Sequence, residues 1–151
     1  MLEELKLDAV TICVPNRFHC PITLDALRAG CHVLCEKPPA ITWEEAKEME
    51  EEARRQGKLL SYGFHFRHSE HVRFLKEKAD RGEFGTIYNS QVQWHRRRGI
   101  PGWGNFTNKG MQGGGPLIDI GAHMLDLTLY LLGYPEISYV CASSSDRIGK
   151  R

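Results

Sequence analysis

The chain has 151 residues, of which 41% are hydrophobic and 26% are charged, and its formal net charge is +1. These values predict a water-soluble globular protein, and the small net charge excludes the broad basic surface typical of nucleic-acid binding. No apolar run is long enough to cross a bilayer, and the N-terminus lacks the pattern of a signal peptide. Five cysteines without a C-x-x-C pair favour a reducing, cytoplasmic location. We therefore expect neither a nucleic-acid partner nor a membrane partner.

The first part of the chain alternates short apolar runs with amphipathic segments. Residues 8–16, 31–39 and 58–66 are apolar and predict three strands. The continuous apolar pattern of residues 8–16 predicts a strand that is buried on both faces. Residues 19–30 and 42–57 predict two helices, the second of which starts with a T-x-x-E capping box. This order of strands and helices implies a parallel sheet with short connections.

The second part of the chain has a different pattern. Residues 68–85 predict a helix, and the alternating residues 86–98 predict a strand with one exposed face. A loop rich in Gly, Trp and Asn covers residues 99–115. Residues 116–132 predict another helix, and residues 136–144 predict a last strand. This mixture is typical of an α+β arrangement and indicates a second domain.

Three predicted strands end in polar or turn-forming residues, at positions 14–16, 36–38 and 63–65. In open parallel sheets, ligands bind outside the carboxyl ends of the strands. If the strands are neighbours, we expect these three ends to line one crevice.

The predicted helix after Pro116 carries a line of ionisable residues on an apolar background. Spacings of four and three place Asp119, His123 and Asp126 on one face of this helix. Burial of such groups without partners is costly, which favours a functional role for the line. Histidine exchanges protons near neutral pH and is the natural acid–base group among them.

Structural roles are the alternative for each of these residues taken singly. Asp119 could cap the helix, Asp126 could pair with a surface arginine, and Lys37 could be an ordinary turn residue before Pro38. The combination of a lysine at a strand end with an Asp-x-x-x-His line after a glycine-rich loop favours catalysis.

This combination resembles a known family. The tripeptide EKP at residues 36–38 and the segment GGGPLIDIGAHMLDL at residues 113–127 are similar to motifs of the glucose–fructose oxidoreductase, inositol dehydrogenase and MocA (Gfo/Idh/MocA) family. The resemblance implies an NAD(P)-dependent oxidoreductase that moves a hydride between nicotinamide and a hydroxyl carbon of a sugar, polyol or related compound. It places the catalytic roles on Lys37, Asp119 and His123, with the histidine as general base.

The resemblance also implies roles for further residues. Those matching cofactor-binding positions are Pro15, Asn16, His19, Glu36, Lys37 and Arg67. Those expected to contact substrate are Lys37, His95, Asp119 and His123. The cofactor is NAD or NADP, the substrate is a small sugar or polyol, and the partner is a second copy of the chain, joined through the sheet of the second domain.

The expected fold class is α/β, with two units. Residues 1–65 correspond to the C-terminal half of a Rossmann-like parallel sheet, a partial dinucleotide-binding domain. Residues 66–151 correspond to the start of an α+β domain for substrate binding and oligomerisation. The G-x-G-x-x-G turn that holds the pyrophosphate in this family is missing from the sequence. We therefore expect a chain truncated at both ends, with weak binding of the whole dinucleotide.

Two other functions remain open. A catalytically inactive module could bind a partner or self-associate through unpaired strand edges. His65, His68 and His71 could contribute to a zinc site, but no acidic or cysteine ligands complete the set, and we expect no metal.

Two further features have more than one interpretation. Arg96, Arg97 and Arg98 form a basic run that is either a solvated face or a grip on an acidic substrate. Trp94 and Trp103 could stack on a sugar ring or serve in packing.

Overall fold

The structure, a computed structural model, describes residue 2 and residues 4–99 and 101–145. The longer elements, in chain order, are β1 (Ala9–Ile12), α1 (His19–Arg28), β2 (His32–Cys35), α2 (Trp43–Gln56), β3 (Leu60–Tyr62), α3 (Glu70–Asp80), α4 (Lys109–Gln112) and α5 (Ala122–Leu131). Short 3-10 turns cover Asn16–Phe18 and His65–His68, and a π-helical turn at Leu117–Gly121 leads into α5.

The three strands form one parallel sheet in the order β1-β2-β3. Ile12 pairs with Cys35, and Cys35 pairs with Tyr62, so the carboxyl ends of all three strands lie in register. The sequence order strand–helix–strand–helix–strand is therefore confirmed as a parallel unit. Its core joins apolar residues of the sheet to apolar residues of α1 and α2, among them Val33, Leu27 and Met49.

Among the described residues, helices cover only one face of the sheet. The prediction of a strand buried on both faces is therefore wrong. Val33 and Cys35 face α1 and α2 and are buried, whereas Thr11, Leu34 and Ser61 on the alternate positions are exposed. Leu34 keeps 45% of its surface accessible. An apolar run does not reveal whether a second layer is present, because it records only the composition of the strand itself.

The predicted capping box of α2 is confirmed. The Thr42 hydroxyl accepts a hydrogen bond from the Glu45 backbone N–H, and the Glu45 carboxylate accepts one from the Thr42 backbone N–H. Gly57 ends the helix in the left-handed region, with φ of 63°. These local signals are readable from sequence because every partner lies within one helical turn.

The predictions of strands at residues 86–98 and 136–144 are wrong, because the structure describes both segments and neither forms a strand. These segments have no sheet partner, and their apolar side chains are exposed, including Tyr88 at 95% and Val140 at 78%. An alternating pattern indicates a residue's preference for a pleated surface, but a strand also needs a neighbour that completes its hydrogen bonds.

The cysteines near the sheet differ in burial. Cys31 and Cys35 are buried, whereas Cys13 is exposed because it follows the end of β1 at the open rim of the sheet. Burial raises the pKa of the Cys35 thiol to about 11, which keeps it protonated and unreactive.

Candidate active site

The carboxyl ends of the three strands meet at one edge of the sheet, as predicted. The Glu36 N–H donates to the Ile12 carbonyl at 3.0 Å, and the Gly63 N–H donates to the Cys35 carbonyl at 2.8 Å. A Cβ at Gly63 would lie 3.0 Å from the Glu36 carboxylate, so glycine allows this close approach. Residues that follow the strands are therefore fixed side by side.

Lys37, which follows β2, reaches the π-helical turn of the second half of the chain. Its Nζ donates to Asp119 Oδ1 at 2.7 Å and to the Asp119 carbonyl at 2.9 Å. Both side chains are partly buried, with 16% and 34% of their surfaces accessible. The contact spans 82 residues of sequence and brings together two of the three predicted catalytic residues.

His123 lies one turn after Asp119, at the start of α5. Its ring packs edge-on against Phe64, His65 and Phe66, with centroid distances of 6.2, 4.9 and 5.1 Å. Its Nδ1 atom is buried and has no hydrogen-bond partner among the described residues. Burial, followed by the charges of Lys37 and His65, lowers the pKa of His123 below its ordinary value. A neutral imidazole is therefore favoured, which is the form that accepts a proton.

Asp126, the third member of the polar line, pairs with Arg67. The Arg67 Nε donates to Asp126 Oδ2 at 2.8 Å, and Nη2 donates to Oδ1. The guanidinium also lies over the rings of Phe64, Tyr130 and Tyr134. Hydrogen bonding to Asp126 raises the pKa of Arg67. Asp126 therefore pairs with an arginine, which was its structural alternative. That arginine, Arg67, is one that the resemblance had assigned to cofactor binding.

A cavity of about 460 Å³ opens beside Lys37 and Asp119. It is lined by six of the predicted site residues, namely Pro15, Asn16, His19, Glu36, Lys37 and Asp119. Its other wall comes from the segment before α5, where the loop contributes Trp103, Gly104, Asn105 and Phe106 and α4 contributes Gln112. The Asn16 Nδ2 donates to the Gln112 carbonyl at 3.0 Å and links the two walls. The volume is within the range of sites for small molecules.

His19 is almost fully buried at the inner wall of the cavity, with 1% of its surface accessible. Its Nδ1 lies 2.8 Å from the Pro38 carbonyl, and its Nε2 lies 2.9 Å from the Val14 carbonyl. Both nitrogens therefore lie against backbone carbonyls, which accept from whichever nitrogen carries a proton, and the ring lies between the end of β1 and the turn that carries Lys37. Only its carbon edge remains for a ligand in the cavity.

Three predicted site residues lie outside the cavity lining. Arg67 faces Asp126, and His95 lies in the exposed extended segment. His123 lies near the cavity rim, against Phe64 and His65, without lining the cavity itself.

Phe106 and Gln112 have no role predicted from sequence, and His65 was considered as a zinc ligand and not as a neighbour of His123. Phe106 belongs to the loop before α4, whose aromatic content was the available signal, and Gln112, at the end of α4, had none.

The described residues contain no group of three or more His, Cys, Asp or Glu side chains placed to hold a metal ion. His65 contacts Phe66 and His123 rather than His68 and His71. Among the described residues, no helix combines the length and apolar character needed to cross a membrane.

Two family models match the chain. Residues 1–64 match the model described as an oxidoreductase family with an NAD-binding Rossmann fold, and residues 72–150 match the GFO/IDH/MocA C-terminal domain.

Curated relatives and solved structures show the same likeness. D-glucoside 3-dehydrogenase of Escherichia coli (strain K12) is 54% identical over 149 residues, which cover 99% of this chain and 42% of that protein. Levoglucosan dehydrogenase of Pseudarthrobacter phenanthrenivorans is 31% identical over an alignment that covers 100% of this chain and 39% of that protein. The WlbA dehydrogenase of Bordetella pertussis, solved with NADH and UDP-GlcNAcA, aligns with a TM-score of 0.77 at 28% identity, covering 87% of this chain and 39% of that one.

The chain spans less than half the length of these relatives, at 42% and 39%. The match nevertheless extends across both halves of the sequence, and it includes the strand end that carries Lys37 and the helix that carries His123. The chain belongs to the GFO/IDH/MocA family of oxidoreductases.

Proposed function

We propose that the chain is an NAD(P)-dependent oxidoreductase, or part of one, that transfers a hydride between nicotinamide and a hydroxyl-bearing carbon of a sugar, polyol or related compound. The observation that carries this proposal is the contact of Lys37 with Asp119 at 2.7 Å, one helical turn from His123 and at the rim of a cavity. The names of the relatives, which include D-glucoside 3-dehydrogenase and levoglucosan dehydrogenase, support a carbohydrate substrate.

The cavity fits the nicotinamide end of the cofactor. Its inner wall is made of backbone and side chains at the strand ends, the usual position of a ligand on an open parallel sheet. In the proposed site, Pro15, Asn16, His19 and Glu36 hold the nicotinamide half. Nicotinamide supplies the hydride chemistry when bound.

The chain's own residues supply proton transfer and charge stabilisation. His123, favoured in its neutral form, accepts the proton of the substrate hydroxyl. Lys37 donates a hydrogen bond to the reacting oxygen and stabilises its developing negative charge. Asp119 holds the ammonium group of Lys37 in place and accepts a hydrogen bond from the substrate. Cofactor contact by Arg67 and substrate contact by His95 stay predictions.

Replacement of Lys37 or His123 by alanine tests the proposal. We expect each variant to lose hydride transfer by about a hundredfold or more, because each removes a proton-transfer or charge-stabilising group. The measurement is NADH formation from a panel of sugars and polyols, with circular dichroism to verify folding. Lys47→Ala is the control, since Lys47 is exposed and contacts Glu51 and the Trp43 ring on its own helix, away from the cavity. Near-normal turnover in both site variants, or no turnover by the unaltered chain, would contradict the proposal.

A self-associating module is the second candidate. The uncovered sheet face with Leu34, and the exposed apolar residues Tyr88 and Val140, support it. The expected homo-oligomer through a second-domain sheet also stays a prediction, since the described residues after position 66 form no strand. A cytoplasmic location is part of the proposal and is supported by five free cysteines.

A further inference from the structure

Three consecutive side chains of the segment after β3 surround the His123 imidazole. Phe64, His65 and Phe66 all meet it nearly at right angles, with interplanar angles of 84°, 74° and 78°. The His65 ring is the nearest of the three, since its centroid lies 4.9 Å from that of His123. The torsion that turns a histidine ring is broad and soft by itself, so the orientation of His123 depends on this edge-to-face packing.

His65 differs from the two phenylalanines on either side of it. It is exposed to water, whereas Phe64 and Phe66 are partly buried. Its ring also lies against that of Phe66, with centroids 4.4 Å apart and an angle of 38° between the planes. Among these three rings, the imidazole is the one that can carry a charge. His65 therefore brings a titratable group, open to solvent, against the proposed base.

The charged and titratable groups that act on His123 come from three other parts of the fold. Lys37 and Glu36 follow β2, Asp119 lies in the π-helical turn, and His65 lies in the 3-10 turn after β3. Burial lowers the pKa of His123 most, and the charges of Lys37 and then His65 lower it further. The carboxylates of Asp119 and Glu36 act in the opposite direction. Two imidazolium rings this close repel each other, so a proton on His65 disfavours a second proton on His123.

From this geometry we propose that His65 is a positioning residue for His123, which holds the imidazole in one orientation and, when protonated, keeps a second proton off it. The inference rests on the proposed function, in which a neutral His123 accepts the proton of the substrate hydroxyl. A base must be oriented as well as neutral, because proton transfer depends on distance and angle. His65 is not among the residues that line the cavity beside Lys37, so its effect reaches the reaction through His123.

Replacement of His65 by phenylalanine or alanine separates the two effects. His65→Phe keeps a ring and removes the charge, so it should raise the titration midpoint of His123. His65→Ala also removes the ring and admits water to His123, so it should raise the midpoint further and change the chemical shifts of the His123 ring protons. Long-range ¹H–¹⁵N NMR of the full chain without cofactor measures both quantities, and the His123 signal is the one absent from His123→Gln.

A kinetic measurement separates positioning from a general loss of stability. At a pH above the midpoint, where His123 is neutral in every variant, His65→Ala should lower kcat about tenfold and leave KM within about twofold. His65→Phe should restore most of this loss, because it restores the ring. The acid limb of the kcat profile of His65→Phe should move to higher pH together with the His123 midpoint.

His68→Ala is the matched control, since His68 is an exposed histidine of the same 3-10 turn and lies outside the ring cluster. It should leave the His123 midpoint and kcat unchanged. An unchanged midpoint in His65→Phe, unaltered His123 ring shifts in His65→Ala, or an equal loss of kcat in His65→Ala and His68→Ala would each overturn the inference. The NMR measurement does not require hydride transfer. If the unaltered chain transfers no hydride while His123 responds to both His65 variants as described, the proposed function is contradicted and the inference about His65 is supported.

Discussion

His123 shows how neighbouring groups adjust a single side chain. Its imidazole is surrounded by three aromatic or imidazole rings and lies near the Lys37 ammonium. Burial and this positive charge disfavour the protonated form, and Asp119 and Glu36 only partly oppose them. Because the folded-state pKa lies below the unfolded one, the unfolded chain binds more protons. The contribution of His123 to stability is therefore lost as pH falls below the ordinary histidine pKa.

Removal of the lysine charge should move the pKa of His123 upward. In Lys37→Met, the positive charge is gone and the Asp119 carboxylate is released from its partner, and both changes favour protonation of His123. Long-range ¹H–¹⁵N NMR of the histidine rings measures the midpoint, and His123→Gln assigns the signal. Lys47→Met, at an exposed site, should leave the midpoint unchanged. An identical His123 midpoint in Lys37→Met and the unaltered chain would show that Lys37 does not influence the base.

At the scale of elements, the Arg67–Asp126 pair fixes α5 relative to the end of β3. Arg67 lies in the 3-10 turn after β3, and Asp126 lies one turn beyond His123 in α5. The pair uses two hydrogen bonds and is covered by three aromatic rings. The same contact that orients α5 therefore also sets the position of His123 against Phe64.

Asp126→Ala should lower the free energy of unfolding by about 1–2 kcal/mol, since it leaves a partly buried guanidinium without its carboxylate. The value is moderate because Arg67 keeps 32% of its side chain accessible to water. Chemical denaturation measures the change. The control is Glu50→Ala, which removes an exposed i,i+4 pair with Arg54 and should cost less than about 0.5 kcal/mol. Equal stability of Asp126→Ala and the unaltered chain would rule out the fixing role.

For the molecule as a whole, the one-sided sheet has the greatest consequence. Helices α1 and α2 bury the face with Val33 and Cys35, and the face with Leu34 is open in the described structure. An uncovered apolar sheet face and extended segments without partners both favour association with another chain. Self-association is thus an expected property of this chain, whether or not it transfers hydride.

We expect light scattering to show concentration-dependent association of the unaltered chain. Leu34→Lys should reduce it, because a charge on the open face must be desolvated when the face is covered. Trp43→Lys is the control, because it also replaces an exposed apolar residue by a charged one but lies on α2. It should have little effect on association. A monomer at every concentration would contradict the expectation, as would undiminished association of Leu34→Lys.

Features whose partners are close along the chain follow the sequence-based predictions. The α2 capping box, the Gly57 stop and the start of the last helix near Pro116 depend on contacts within one or two turns. The carboxyl ends of β1, β2 and β3 were placed at one edge correctly, because parallel order follows from strand–helix alternation. The strands at 86–98 and 136–144 failed, because pairing needs a neighbour that a local pattern does not contain.

Residue types and spacing favoured Lys37, Asp119 and His123 as a chemical site, because the chemical character of a side chain is local, and the resemblance added their catalytic roles, which stay predictions. Which atoms meet could not be read in this way. The Lys37–Asp119 contact joins residues 82 positions apart, the Arg67–Asp126 pair joins residues 59 apart, and the cavity face of Trp103 depends on a loop folding back over the strand ends. Such contacts depend on how whole elements pack, and packing is a property of the assembled core rather than of any segment.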